Sequence, residues 1–319
     1  MSKERGICYF PVGLFASVMG LAGLAIAIKQ AENLFGIHHT ASSIIIALTT
    51  LLFLFYSVVF IYRMIRCFEQ VKHDFQHPVK KNFFAAISIS LLLLSVLYVE
   101  ISQALSIGLL FVGGVLQLSL TLIILSKLIW RHSFAFEQFN PAWFIPIVGN
   151  IIVPLAGVHH GFVSDILWMF FGIGVLFSII YFAIFFVRAY FYKPLPEKLW
   201  PTVFILMAPP AIGFVSYVKM TETVDAFANI LYGIAFFIGL FLLFQLKRFM
   251  TVPFYVSWWA FLFPSAAMTV ATANMYLFHR YEFYQWLFYL QLISLIVLTV
   301  YLGWKTIQLA KDRKLCVKE

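Results

Sequence analysis

Ten apolar stretches, each about as long as a bilayer-crossing helix, follow one another along this chain. They fall near residues 10–28, 41–62, 83–99, 105–126, 143–158, 166–187, 202–218, 226–246, 254–278 and 283–304. A helix needs about 20 mostly apolar residues to cross the hydrocarbon core of a membrane. The fifth stretch is the shortest and the most interrupted. The sequence therefore predicts an all-α membrane protein with ten transmembrane helices in a single domain over residues 1–319.

The low content of charged residues excludes other classes of protein. Only 11% of the 319 residues are Asp, Glu, Lys or Arg, whereas 63% are hydrophobic. Soluble domains carry about 25% charged residues, so this chain could not cover a water-facing surface. A soluble enzyme and a disordered chain are both excluded. No A-x-A-like cleavage site follows the first apolar stretch, which we therefore expect to be a helix of the protein rather than a signal peptide.

The positions of the basic residues predict the orientation of the chain. With ten spans, 19 of the 22 Lys and Arg residues fall on the side that holds both termini, and only Lys29, Lys219 and Arg280 fall on the other. Positive charge stays on the cytoplasmic side during membrane insertion, so we expect both termini to be cytoplasmic. The net charge of +9 is spread over six segments of that side, which argues against nucleic-acid binding.

The three cysteines also fall on the predicted cytoplasmic side. Cys8, Cys67 and Cys316 are too few and too scattered for a disulfide framework or a zinc cluster. Because the cytoplasm keeps thiols reduced, we expect all three to be unpaired.

The prolines reveal a repeat with a period close to one helical hairpin. Five of them precede or begin the odd-numbered spans at intervals of 52 to 67 residues: Pro11, Pro78, Pro141, Pro201 and Pro253. Five more lie within odd-numbered spans, where we expect them to kink the helix: Pro146, Pro154, Pro209, Pro210 and Pro264. The even-numbered spans contain none. Backbone groups freed by a kink must be satisfied by protein or water. The pattern therefore predicts five parallel hairpin repeats, with the odd helices inside around a central pore.

The depth of the charged residues indicates what the pore transports. No Asp, Glu, Lys or Arg lies near the middle of a span, whereas ion-coupled transporters usually keep such residues there. This favours uncoupled movement of a small solute. Broken helices present N–H groups with partial positive charge, which favours anions. The amides of Asn150 and Asn274 have two open interpretations, as pore-lining groups or as hydrogen bonds between helices.

Catalytic and metal-binding patterns are missing from the sequence. His159 and His160 stand near Asp165, but adjacent histidines do not share a helix face and no third ligand has metal-site spacing. His38 and His39 form a similar pair. The sequence contains no P-loop or nucleophile elbow. We therefore expect no enzymatic activity, no metal and no cofactor.

Five strings carry a resemblance to a known family. They read FPVGLFASVMGLAGLA (10–25), FEQVKHDFQHPVKKNFF (68–84), NPAWFIPIVGN (140–150), MAPPAIGFVSY (207–217) and SWWAFLFPSAAMTVATANMY (257–276). Together they resemble the TehA family of bacterial tellurite-resistance and dicarboxylate transport proteins, which includes the slow anion channels of plant guard cells.

This resemblance implies a pore in each subunit of a homotrimer that conducts small anions passively across the inner membrane. It implies that a phenylalanine in the ninth helix plugs the pore, here Phe263, with Pro264 giving the ring room to move. Chloride-like or nitrate-like anions are the expected solutes, and dicarboxylates such as malate or tellurite oxyanions are the alternative. Possible pore-lining positions are Gly13, Ala16, Asn150 and Gly213. Ala16 stands where relatives often have glycine, so its methyl group would narrow the pore.

Overall fold

The structure, a computed structural model, describes residues 6–130 and 135–317, and within these ranges every regular element is a helix. Ten α-helices form the body of the protein: α1 Phe15–Phe35, α2 Thr40–Arg66, α3 Ala85–Tyr98, α4 Gln103–Trp130, α5 Ile145–Gly157, α6 Ser164–Phe191, α7 Ala208–Thr221, α8 Ala226–Phe244, α9 Leu262–His279 and α10 Glu282–Lys311. Two short helices, Phe68–Gln76 and Leu246–Phe249, follow α2 and α8.

Each odd-numbered helix is preceded directly by a 3₁₀ helix. The 3₁₀ segments are Val12–Leu14, Lys80–Phe84, Pro141–Phe144, Glu197–Met207 and Val256–Phe261. With these segments included, nine helices of the described ranges are long and apolar enough to cross a membrane, and the remaining one, Pro141–Gly157, is shorter. The predicted class, an all-α multi-pass membrane protein, is confirmed.

The odd helices form a closed inner ring. Each packs against the next in the order α1, α3, α5, α7, α9, and α9 packs back against α1. The five 3₁₀ segments contact one another in the same cyclic order. Each even helix packs outside this ring, against its own hairpin partner and the next inner helix.

Burial distinguishes the two sets of helices. In the membrane-crossing windows of the four long odd spans, 72% to 78% of residues are buried, against 17% to 33% in the even spans. The even helices therefore present their apolar side chains to lipid. The predicted arrangement of five hairpins, with the odd helices inside, agrees with the structure.

Small residues bring the inner helices into close contact. A Cβ atom placed on Gly20 of α1 would lie 2.5 Å from the side chain of Leu262, and one on Gly23 would lie 2.6 Å from the Cβ of Ala266. In a membrane, helices associate largely through such close van der Waals packing. The glycines of α1 therefore set its distance from α9.

The prolines mark the change from 3₁₀ to α geometry. Pro146, Pro209, Pro210 and Pro264 lie within the first three residues of α5, α7 and α9. Proline is tolerated there because the N–H groups of a first turn have no partner in the α-helix. Pro154 differs, since it lies inside α5. The inner spans thus continue as helices through most of their prolines, which corrects our expectation of breaks at these positions.

Both ends of the described chain meet on one face of the bundle, here called the terminal face. The N–H of Gly6 donates to the carbonyl of Cys316 at 3.2 Å. A disulfide joins Cys8 to Cys67 across 59 residues of sequence, with their Cα atoms 5.6 Å apart. The prediction of three unpaired cysteines was therefore wrong for two of them, because the fold returns α2 to the N-terminal segment. Cys316 is free.

We predict that Gly23→Ala destabilises the protein, because the added methyl group overlaps Ala266 of α9. Overpacking of this kind costs about 1–3 kcal/mol, and the thermal midpoint of the detergent-solubilised protein measures it. Gly172→Ala in α6 is the matched control, since its Cβ would have no atom within 4 Å. Equal midpoints for the two variants would contradict the close contact of α1 with α9.

Candidate permeation pathway

A small apolar cavity lies at the centre of the inner ring. Its volume is about 30 Å³, room for about one or two water molecules. All five inner spans contribute to its wall, which is formed by Ala16, Met19, Phe83, Ile89, Ile145, Val148, Ile205, Ala208, Trp259, Ala260, Phe263 and Pro264. These residues lie close to the 3₁₀-to-α junctions. The axis of the ring is thus nearly filled by apolar side chains at this level.

Phe263 and Phe261 of the ninth span lie in different surroundings. Phe263 lines the central cavity, and its ring approaches α1, where a Cβ on Gly23 would lie 3.8 Å from it. Phe261 stacks on Phe204 with the ring centroids 3.8 Å apart and does not appear among the residues described around the cavity. The two phenylalanines therefore face different directions, as expected for residues two positions apart.

A much larger cavity, here called the vestibule, opens at the terminal face. Its volume is about 590 Å³. Phe83 lines both the vestibule and the central cavity, so its ring lies between them. Gly13 faces the same ring, since a Cβ there would lie 3.6 Å from Phe83. Our sequence reasoning did not select Phe83, although it belongs to the string KKNFF of the recognised motif.

A buried ion pair supports the wall of the vestibule, to which Asp74 belongs. Arg63 of α2 is fully buried and donates to the carbonyls of Cys8 at 2.9 Å and Phe10 at 2.7 Å. It also donates to the carboxylate of Asp74 at 2.6 Å. Asp74 lies on the helix Phe68–Gln76 and accepts a second, longer contact of 3.4 Å from Lys80. Arg63 thus holds the N-terminal segment and the loop helix together around the mouth of the pathway.

Two of the predicted pore-lining residues point away from the central cavity. The amide of Asn150 donates to Thr121 of α4 at 2.9 Å and to the carbonyls of Pro146 and Ile147 at 3.1 Å. The amide of Asn150 thus makes a hydrogen bond between helices. Gly213 faces Leu231 of α8, 3.7 Å from the position of a Cβ. Gly13 borders the vestibule and Ala16 borders the central cavity.

Asn274 also bonds within its own helix, where it donates to the carbonyl of Val270 at 2.8 Å. The inner helices satisfy several other polar side chains in this way or across helix contacts. Ser216 of α7, for example, donates to the carbonyl of Ile151 of α5. These polar groups serve the packing of the ring rather than the pathway.

Charged groups collect again at the opposite face. Lys29 of α1 forms an ion pair of 2.8 Å with Glu100, which follows α3. The hydrogen bond from Lys29 lowers the pKa of the Glu100 carboxyl, against an opposing effect of burial. Burial and then the positive charge of Lys219 lower the pKa of His159. Within the described residues, no group of three or more His, Cys, Asp or Glu side chains is placed to hold a metal ion.

An apolar constriction on the axis of a helical ring, with charged groups at its two faces, is the arrangement of a membrane transport protein. The model of the voltage-dependent anion channel family, SLAC1, matches residues 9–307 of the chain. The chain therefore belongs to this family, and it is an anion channel or transporter.

Individual relatives agree with this assignment. An uncharacterized transporter of Methanocaldococcus jannaschii is 26% identical over 95% of this chain and 97% of its own length. The S-type anion channel SLAH2 of Arabidopsis thaliana is 27% identical over 82% of this chain and 52% of its own length. The tellurite resistance protein TehA homolog of Haemophilus influenzae is 24% identical over 83% of this chain and 81% of its own length.

We predict that Arg63→Met strongly destabilises the protein, because it removes three hydrogen bonds and leaves the buried Asp74 with only its longer contacts to Gln70 and Lys80. Removing one partner of a buried ion pair costs about 3–5 kcal/mol. Arg66→Met, at an exposed position one turn later on the same helix, is the control. The thermal midpoints of the two variants in detergent are the measurement. If Arg63→Met lowers the midpoint no more than Arg66→Met does, the stabilising role of Arg63 is contradicted.

Proposed function

We propose that this protein is a passive channel for small monovalent anions such as chloride and nitrate, and that Phe263 closes its pore. The observation that carries this proposal is the position of the Phe263 ring in a cavity lined by all five inner spans. Membership of an anion channel family supports the choice of anions as substrates.

The chemistry of the constriction suits a closed gate. A benzyl ring cannot replace the water molecules that surround an ion, and a narrow apolar segment of a pore loses its water. The cavity of about 30 Å³ around Phe263 is too small for a hydrated anion. Conduction therefore requires the ring to move out of the axis.

Pro264 gives the neighbouring backbone the freedom for such a movement. It stands in the first turn of α9, so its backbone nitrogen makes no α-helical hydrogen bond to the turn before it. It also stands just after the change from the 3₁₀ segment Val256–Phe261 to α9. Helices bend most readily where such a bond is missing.

We predict that Phe263→Ala raises the anion current severalfold, because it removes the ring that fills the axis. The measurement is chloride current in planar bilayers with an imposed voltage and a chloride gradient. Phe261→Ala is the matched control, since Phe261 is equally buried but stacks on Phe204 outside the cavity. A Phe263→Ala current equal to that of the unmodified channel, at equal amounts of inserted protein, would contradict the gate.

The same experiment separates a channel from a carrier. Transport of dicarboxylates or tellurite oxyanions is the second candidate function, supported by the vestibule of about 590 Å³, which has room for an organic anion, and by the name of the Haemophilus influenzae relative. A channel gives a current whose reversal follows the Nernst potential of the anion. A carrier saturates with substrate and need not follow that potential.

We further propose that the protein forms homotrimers in the inner membrane, with the terminal face in the cytoplasm. The trimer rests on the family resemblance alone. The orientation rests on the 19 basic residues assigned to that side of the membrane, of which Lys3, Arg5, Arg131 and Lys318 lie outside the described residues. The disulfide between Cys8 and Cys67 on the same face is the opposing observation, because cytoplasmic thiols are normally reduced.

The orientation predicts the behaviour of reporter fusions. A green fluorescent protein fused after residue 319 should fluoresce, because it folds in the cytoplasm, whereas an alkaline phosphatase fused there should be inactive. A phosphatase inserted in the loop near residue 223 should be active, because that loop lies at the opposite face. The reverse pattern would overturn the orientation and would agree with the disulfide.

A further inference from the structure

We infer that the vestibule is a binding site for small multivalent anions, such as tricarboxylates or polyphosphates, which block the pore from the terminal face. This inference rests on the proposed channel function for its effect on current, but the binding itself does not depend on conduction. The observation behind it is that lysines from three separate parts of the chain line one cavity.

The three lysines come from distant positions in the sequence. Lys80 begins the third span, Lys198 begins the seventh, and Lys314 follows α10. The positive-inside rule explains why lysines lie at this face. It does not explain why three of them border the same cavity above the axis of the ring.

Local contacts hold these lysines at the cavity. The Nδ1 atom of His77 accepts the N–H of Lys80 at 3.3 Å, and the hydroxyl of Ser257 donates to the carbonyl of Lys198 at 2.6 Å. The segment that carries Lys314 is bound to the N-terminal segment through the hydrogen bond between Gly6 and Cys316. Three different contacts therefore fix the main chain at or near three lysines that border one cavity.

The negative charge in the wall is already paired. Asp74 is the one carboxylate among the described residues of the wall, and its shortest contact is the 2.6 Å ion pair with the buried Arg63. Lys80 is a more distant partner of Asp74, and the ammonium of Lys314 lies 3.1 Å from the exposed Asp312. Among the described residues of the wall, three lysines therefore stand against one carboxylate, which is paired with the buried Arg63.

The size of the vestibule and the number of its lysines indicate which class of anion it would bind. Its volume of about 590 Å³ lies in the range of roughly 300–1,000 Å³ that small-molecule sites occupy. A single exposed lysine binds a monovalent anion weakly, because the surrounding water screens the attraction. An anion with three or more charges contacts several lysines at once. Once it binds one lysine, it is held close to the other two, and this favours its contacts with them.

The position of the vestibule explains why such an anion would block rather than pass. Phe83 separates it from the central cavity of about 30 Å³. Beyond that ring the residues described around the central cavity are all apolar, and none of them offers an ammonium group to replace the water that a multivalent anion loses. The anion would therefore stop above Phe83, in the path of smaller anions.

The test begins with binding. Titration calorimetry of the purified protein in detergent should detect saturable binding of citrate and of pyrophosphate, each excluding the other. Lys198→Ala and Lys314→Ala should each weaken it roughly five- to tenfold. Lys311→Ala is the control, since this exposed lysine lies on α10 outside the described wall. Binding that is undetectable, or that all three variants weaken equally, overturns the inference.

The second measurement is block of the current. With Phe263→Ala as the conducting background, citrate added at the terminal face should reduce the chloride current, and Lys198→Ala should relieve the block. Citrate at the opposite face should have little effect. Chloride current that citrate does not reduce from either side overturns the inference and leaves the channel function standing. If no variant conducts, the channel proposal fails while calorimetry still decides the binding.

Discussion

The whole architecture depends on one constraint, which is that a bilayer offers no hydrogen-bond partners to the backbone. Every described span is therefore helical from end to end, including the inner ones that contain prolines. The inner spans meet this constraint by changing from 3₁₀ to α geometry rather than by unwinding. Most of their interior prolines stand in the first α-turn, where the backbone N–H that proline lacks would have no α-helical partner. The central cavity lies beside these five junctions, so the backbone geometry and the constriction occupy the same level of the ring.

The pathway combines two environments that act on an ion in opposite ways. The vestibule is bordered by Lys80, Lys198 and Lys314, which we propose attract anions. The apolar wall around Phe263 excludes any ion that keeps its hydration shell. In our proposal the attraction acts outside the constriction, so that anions are concentrated near a gate that remains closed. The proposal thus assigns selectivity by charge and control of opening to different residues.

Sequence reasoning identified the constriction only in part. The resemblance selected Phe263, and its neighbour in the cavity, Ala16, came from the same motifs. The position of Phe83 at the cavities was not predicted, because a phenylalanine shortly after two lysines is typical of the end of a membrane span. Asn150 was left open between two roles, and the sequence could not show the contact of its amide with Thr121 of α4. The cysteine prediction failed for a similar reason, since a separation of 59 residues conceals the approach of Cys8 to Cys67.

By itself, the sequence determined the class of protein, the number and order of the spans, and the division into inner and outer helices. These properties follow from hydropathy and from the positions of prolines. Both depend on whether a segment is surrounded by lipid, protein or water. Only the tertiary structure decided which side chains face the axis, that Arg63 is buried against Asp74, and that three lysines share one vestibule. Such facts depend on the rotation of each helix about its own axis and on the return of distant segments to one face. No local pattern of residues records either of these.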